Sequence, residues 1–152
     1  MKMLRAMREP LKYVQGKNAC LEFEKEMGYM GKRFLFVCSN SGYKATHDMI
    51  EQSFEGKGDY YRRYEIFGGI SSNGEINRMK AIVEEDNIDV VVAIGGGSAV
   101  DTAKATAYYA GKRIVILPTV AATDAPCTGL SVIYNDDGSF DKYLFYPQNP
   151  DA

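Results

Sequence analysis

The chain has 152 residues, of which 45% are apolar, 12% aromatic and 25% charged, as in a globular protein with a single core. We therefore expect one domain over residues 1–152. A net charge of −2 and an isoelectric point near 5.5 argue against a nucleic-acid partner. No apolar run approaches the ~20 residues that cross a bilayer. The charges within Met1–Arg8 argue against an export signal, so we expect no membrane association and a cytoplasmic protein.

The first half of the chain predicts two helices and two strands. A helix over 19–27 is followed by an apolar strand over 34–38. A second helix follows Gly42 and ends before the glycine-containing loop at 55–59. The segment 64–67 is the second strand.

The second half repeats the pattern. A helix over 73–86 has apolar residues on one face, and a second helix begins after the glycines and stops at Gly111. The strands at 90–94 and 114–117 show no polar alternation, which is typical of parallel strands covered by helices on both sides. The sequence therefore predicts an α/β fold with a doubly wound, mostly parallel, Rossmann-like sheet.

The last forty residues differ in character. Two β-prone runs, 130–134 and 142–146, flank the turn-forming residues 135–139. This arrangement predicts a β-hairpin at about 129–146.

Histidine and cysteine are scarce. The chain has one histidine, His47, and three cysteines, Cys20, Cys38 and Cys127, that lie far apart. No spacing is typical of a zinc site, so we predict no metal ligands in this chain. Three cysteines in a cytoplasmic chain predict free buried thiols. Because no nucleophile motif lies near His47, we interpret it as a helix-surface residue.

The run Gly95-Gly96-Gly97 lies between a buried strand and a helix. Bare backbone N–H groups at a helix N-terminus attract phosphate, and glycine lets a phosphate approach closely. The alternative is a tight turn in which Ser98 and Asp101 form a capping pattern. The run matches neither the G-x-G-x-x-G nor the P-loop motif.

Asp124 is the second candidate, since it follows a strand at the sheet edge where ligands bind in open parallel sheets. Its carboxylate could hold the hydroxyl groups of a polyol. The alternative is a local Asx turn before Pro126. Lys104, one turn inside the helix, is interpreted as a solvent-exposed or salt-bridge residue.

The sequence resembles the glycerol dehydrogenases of the iron-containing (group III) polyol and alcohol dehydrogenase superfamily over almost its whole length. Residues 95–104 are similar to that family's GGG-x-x-x-D-x-A-K pyrophosphate motif, and residues 118–134 follow its PT-x-A-x-TDAP…LSVIY stretch. Residues 12–18 resemble its first strand and turn.

This resemblance implies an NAD-linked oxidation of a vicinal diol such as glycerol to a hydroxyketone. It implies that Asp124 contacts the substrate hydroxyls. The implied cofactor-binding residues are those at the ends of the strands and in the hairpin: Ser39, Gly95, Gly96, Gly97, Ser98, Thr119, Val120, Thr123, Thr128, Leu130 and Tyr134.

Two positions depart from the family pattern. Where the family commonly has an aspartate to bind the adenosine ribose, this chain has Ser39. Serine carries no negative charge, so NADP is not excluded as the cofactor. The family's lysine after the glycines is Ser98 here.

In the family, an aspartate and two histidines of a helical C-terminal domain hold zinc or another divalent metal. This chain ends before those ligands, so we expect it to be the N-terminal cofactor-binding domain and inactive alone. A C-terminal domain or a second chain would then be its partner, and the family tends to form homo-oligomers. The alternative is a stand-alone nucleotide-binding or interaction module without redox activity.

Overall fold

The structure is a computed structural model that describes residues 9–152, so the prediction made from Met1–Arg8 lies outside the described residues. Within residues 9–152, six strands and four α-helices are joined by short loops and three 3-10 segments. In chain order the elements are a 3-10 segment Ala19–Glu22, α1 Phe23–Met27, a 3-10 segment Gly28–Met30, β1 Arg33–Cys38, α2 Asn40–Ser53, β2 Tyr61–Ile66, α3 Asn73–Glu85, β3 Val90–Gly95, α4 Gly97–Ala110, β4 Arg113–Pro118, a 3-10 segment Ala125–Cys127, β5 Leu130–Tyr134 and β6 Phe140–Phe145.

The first four strands form one parallel sheet in the order β2-β1-β3-β4. The connection through α2 leads to one side of β1, and the connection through α3 returns across it to β3. The strand order therefore reverses between β1 and β3. Such a reversal opens a crevice at the carboxyl ends of the two strands.

Helices cover both faces of this sheet. Phe34 and Phe36 of β1 face α1 and α2, whereas Leu35 and Val37 face α3 and α4. All of β3 is buried as well. Alternate side chains of a strand point to opposite faces, so a strand covered on both sides must be apolar throughout. The predicted doubly wound α/β fold is confirmed.

The hairpin is an antiparallel pair of β5 and β6. Ile133 and Leu144 pack with Ile76 of α3 and Ala105 of α4. The second strand of the hairpin, β6, begins at Phe140, two residues earlier than predicted, and a bulge lies between Ile133 and Tyr134.

Three local predictions need correction. Residues 12–18 form no strand; Lys12 makes one backbone hydrogen bond, to Asp151 (3.0 Å), where a strand needs a ladder. The predicted helix over 19–27 begins with a 3-10 segment, and only its second half is α-helical. The third correction concerns the thiols.

All three cysteines are free, but they are not all buried. Cys38 is buried in the core, and this desolvation raises the pKa of its thiol to about 12. Cys20 is half-buried and Cys127 is exposed. His47 lies partly exposed on α2 beside Asp48 (Nδ1 to Oδ1 2.9 Å), as predicted for a helix-surface residue.

Within residues 9–152, no helix is both long enough and apolar enough to span a membrane.

Candidate cofactor-binding site

Three long helices begin at the carboxyl edge of the sheet, and two of them are capped by a serine. The Oγ of Ser39 accepts a hydrogen bond from Gly42 N at the start of α2 (3.0 Å). The Oγ of Ser72 does the same for Glu75 N in α3 (3.3 Å). The N-cap residue of α4 is Gly96, which has no side chain to accept one. The first N–H groups of α4 have no acceptor within the helix, so they are available to an anion.

The three consecutive glycines differ in how closely their neighbours approach. A Cβ at Gly95 would lie 2.8 Å from the Cβ of Ala99, and one at Gly97 would lie 3.2 Å from the Oγ1 of Thr123. A Cβ at Gly96 would meet its first neighbour, Val120, at an ordinary 3.8 Å. The φ of Gly96 is −89°, which any residue adopts. Packing explains Gly95 and Gly97, but neither packing nor backbone conformation requires a glycine at position 96.

Several predicted cofactor residues surround this turn. Ser39 N donates to the carbonyl of Ile94 (2.8 Å), which fixes Ser39 beside Gly95 across the β1/β3 crevice. Thr119 N donates to Gly95 O (3.0 Å). Val120 and Thr123 follow from the same loop, beside Gly96 and Gly97. The structure therefore brings Ser39, Thr119, Val120 and Thr123 to the glycine turn, as the fold predicts for strand ends at one edge.

Ser98 and Asp101 do not form the capping pattern considered above. Ser98 is the second residue of α4 and is exposed. Asp101 is 9% exposed and turns inward, where its Oδ2 accepts from Val132 N (3.2 Å). The predicted Ser98/Asp101 capping pattern is wrong because Gly96, not Ser98, is the N-cap residue.

Lys104 is not a solvent-exposed residue. Its side chain is buried, and its Nζ donates to the carbonyls of Ala125 (2.8 Å), Thr128 (3.2 Å) and Leu130. The salt-bridge interpretation is correct, since Nζ lies 3.3 Å from Oδ1 of Asp101. Desolvation lowers the pKa of Lys104, and the Asp101 carboxylate opposes this shift.

A signal for this burial was present in the sequence. Asp101 and Lys104 are the sole charged residues in the stretch 99–107, which is otherwise alanine, threonine and valine. All nine residues of this stretch are buried. A helix that is apolar all round is a buried helix, and a charge within it needs a partner.

The remaining predicted residues lie in the loop after β4 and in the hairpin. Asp124 is exposed and its carboxylate makes no cap to the short helix that follows, so the Asx turn considered for it does not form. Thr123 Oγ1 accepts from Ala125 N instead (3.2 Å). Thr128 and Leu130 bind Lys104 through their carbonyls. Tyr134 is the last residue of β5, where its N–H donates to Ser71 O (2.9 Å).

Among the described residues, no group of three or more histidine, cysteine, aspartate or glutamate side chains is placed to hold a metal ion. A dinucleotide fits better, because Gly96 leaves a space that a Cβ would fill beside uncapped helix N–H groups.

The glycine turn at the reversal point of a parallel sheet places the molecule in the class of Rossmann-like α/β domains. Comparison with known proteins agrees. A model of the iron-containing alcohol dehydrogenase family matches residues 10–152, and the chain belongs to this family.

Glycerol dehydrogenases are among its similar proteins. One from Thermotoga maritima is 45% identical over 143 residues, covering 94% of this chain and 38% of that protein. One from Escherichia coli is 38% identical over 148 residues, covering 97% and 40%. The crystal structure of a probable glycerol dehydrogenase from Sinorhizobium meliloti superposes with a TM-score of 0.85 at 36% identity, covering 99% of this chain and 40% of that one. The chain thus spans about two fifths of the length of these relatives, and the resemblance inferred from the motifs is confirmed.

Proposed function

We propose that the chain is the NAD-binding part of a glycerol dehydrogenase-like oxidoreductase. The observation that carries the proposal is Gly96, a glycine that neither its φ nor its neighbours require, at the N-terminus of a helix without a side-chain cap. A pyrophosphate oxygen there accepts N–H hydrogen bonds and gains from the helix dipole. Membership of an alcohol dehydrogenase family supports the same assignment.

In this proposal the pyrophosphate lies against Gly95–Ser98. Ser39 hydrogen-bonds the adenosine ribose from the neighbouring strand. Thr119, Val120 and Thr123 border the cofactor on the β4 side. Thr128 and two hairpin residues, Leu130 and Tyr134, extend that border. When bound, the nicotinamide ring supplies the hydride acceptor.

The substrate side of the site is Asp124. An exposed carboxylate accepts hydrogen bonds from two neighbouring hydroxyl groups, which suits a vicinal diol such as glycerol. Oxidation moves a hydride from the carbinol carbon to the cofactor and releases the hydroxyl proton, which leaves a hydroxyketone. Zinc or another divalent metal polarises the alcohol in the enzymes that the motifs resemble. The described residues offer no ligand set for that metal. We therefore propose that this chain alone does not oxidise the diol.

One face of the hairpin exposes apolar side chains that a partner could cover. Leu130, Val132 and Tyr134 pair with Phe145, Tyr143 and Phe140 on the face opposite to the buried Ile133. The last three are 70%, 58% and 52% exposed. An exposed apolar face of this kind is typical of an interface. Because it continues from Leu130 and Tyr134, we propose that a C-terminal domain or a second chain covers this side of the site.

The test is calorimetric titration of the chain with NADH and with NADPH, followed by an absorbance assay with NAD, zinc and glycerol. We expect saturable NADH binding and no NADH formation. Lack of NADH binding contradicts the cofactor assignment. Glycerol oxidation by this chain alone contradicts its proposed incompleteness. If the chain binds NADH but gives no activity with a glycerol dehydrogenase C-terminal partner, the stand-alone module is favoured.

A further inference from the structure

The loop between β4 and β5, residues 119–129, carries Thr119, Val120, Thr123 and Asp124 but contains little regular structure. We refer to it as the site loop. Its one helical segment is the single 3-10 turn Ala125–Cys127. A loop with few backbone hydrogen bonds of its own does not hold a binding geometry unless other groups fix it.

Lys104 supplies that fixation from inside α4. Its Nζ donates to the carbonyls of Ala125 and Thr128 in the site loop and to that of Leu130 at the first residue of β5. A lysine ammonium has three donors and no acceptor, so these carbonyls match its hydrogen-bonding capacity. The residue is 3% exposed, which means that water does not compete for these bonds.

Asp101 completes the arrangement. Its Oδ1 lies 3.3 Å from Lys104 Nζ, and its Oδ2 accepts from Val132 N in β5. Its backbone carbonyl accepts from Ser131 Oγ, which in turn accepts from the hydroxyl of Tyr146 (2.7 Å). The pair thus joins both the end of the site loop and the start of the hairpin to α4.

The first residue of α4 lies in the glycine turn, four residues before Asp101 and about 6 Å along the helix axis. A single rigid helix therefore carries both the proposed pyrophosphate site and the group that holds the site loop.

We propose that Asp101 and Lys104 are positioning residues that hold the site loop against the glycine turn and so set the affinity for the dinucleotide. This inference rests on the proposed function. The pair acts through the loop backbone and does not touch the cofactor. Two of the three carbonyls that Lys104 binds lie in the irregular site loop, and the third lies where that loop enters β5.

The test uses the double variant Asp101→Asn/Lys104→Met, which removes the three donors without leaving a buried unpaired carboxylate. Lys104→Gln, which keeps a neutral donor on the side chain, is the second variant. Lys80→Met is the control, because Lys80 lies on the surface of α3 with its ammonium 3.7 Å from Glu84. Hydrogen exchange of peptides from the site loop, β1 and β3 is measured by mass spectrometry, and NADH affinity by calorimetry.

In the double variant we expect site-loop amides to exchange at least ~10-fold faster, with β1 and β3 still protected, and NADH affinity to fall ~10-fold. Lys104→Gln should lie between the double variant and the unaltered chain, and Lys80→Met should match the latter. If β1 and β3 lose protection in the double variant, its core is unfolded. The comparison then rests on loop exchange and NADH affinity in Lys104→Gln.

Unchanged site-loop exchange in both variants overturns the proposal. So does unchanged NADH affinity in a variant whose loop exchanges faster. Faster loop exchange in a chain that binds no NADH even without substitution supports the loop-holding role and contradicts the proposed function.

Discussion

Replacing Gly96 with serine separates the two explanations of the glycine turn. Serine adopts a φ of −89° readily, and its Cβ would lie 3.8 Å from Val120, an ordinary contact. Serine at an N-cap accepts a hydrogen bond from the second or third helical N–H and is preferred to glycine by a few tenths of a kcal/mol. We therefore expect Gly96→Ser to fold as well as the unaltered chain, with a thermal midpoint within about 2 °C of it or above it.

The same substitution should lower the affinity for NADH. The new Cβ occupies the space that the pyrophosphate needs, and the new hydroxyl takes an N–H group that the phosphate would otherwise bind. Loss of one hydrogen bond to a charged group costs about 1.5–3 kcal/mol, which corresponds to an NADH affinity roughly 10- to 100-fold lower. The assays are calorimetric titration with NADH and thermal unfolding followed by circular dichroism.

Gly95→Ala is the matched control. Its Cβ would lie 2.8 Å from Ala99, so α4 must shift away from the end of β3. Such overpacking costs about 1–3 kcal/mol, and the thermal midpoint should fall by several degrees. If Gly96→Ser binds NADH as tightly as the unaltered chain, the turn is a structural one and the pyrophosphate assignment is wrong.

Two further predictions concern cofactor choice and acid stability. Ser39→Asp keeps an N-cap on α2, since aspartate caps as well as serine, and it adds a charge that repels a 2′-phosphate. We therefore expect the ratio of NADH to NADPH affinity, measured by calorimetry, to rise about 10-fold. Burial acts to raise the pKa of Glu65 and of Glu75, but hydrogen bonds outweigh it and lower both pKa values. Glu65 accepts from Arg78 and Arg63, and Glu75 accepts from Arg78 and from Gly68 N. A carboxyl whose pKa is lower in the folded state stabilises the fold at pH values above the unfolded pKa, and this stabilisation is lost as the pH falls through the folded one. Urea midpoints should therefore fall from about pH 5 towards pH 3. Arg78→Met should lower the free energy of unfolding by about 0.5–1 kcal/mol at pH 7 and by less at pH 3, and an equal loss at both pH values would contradict this reasoning.

Strand β3 was predictable from the sequence because its constraint is local. A strand buried on both faces must be apolar at every position, so the six residues of β3 are enough to predict that it is a buried strand. The same holds for the glycine run, whose place between that strand and α4 predicts a turn at the sheet edge.

The role of Lys104 was not predictable in the same way. Its partners Ala125, Thr128 and Leu130 lie 21, 24 and 26 residues further along the chain, and they bind through carbonyls that every residue possesses. An Asp101–Lys104 spacing of three residues looks the same on a solvated helix as on a buried one. The failed strand at residues 12–18 has a similar cause, since strand formation depends on a neighbouring backbone that lies far away in the sequence.

Dinucleotide binding at the glycine turn can be observed by NMR, in a titration of the nitrogen-15-labelled chain with NADH. We expect the largest saturable shifts at the backbone amides of Gly96, Gly97, Ser98 and Ala99, together with those of Ser39 and Thr119. Inorganic pyrophosphate should reproduce the shifts at the glycine turn but not that at Ser39. Saturable shifts that leave the glycine turn unperturbed, or no shifts at all, would contradict the claim that this turn binds the dinucleotide.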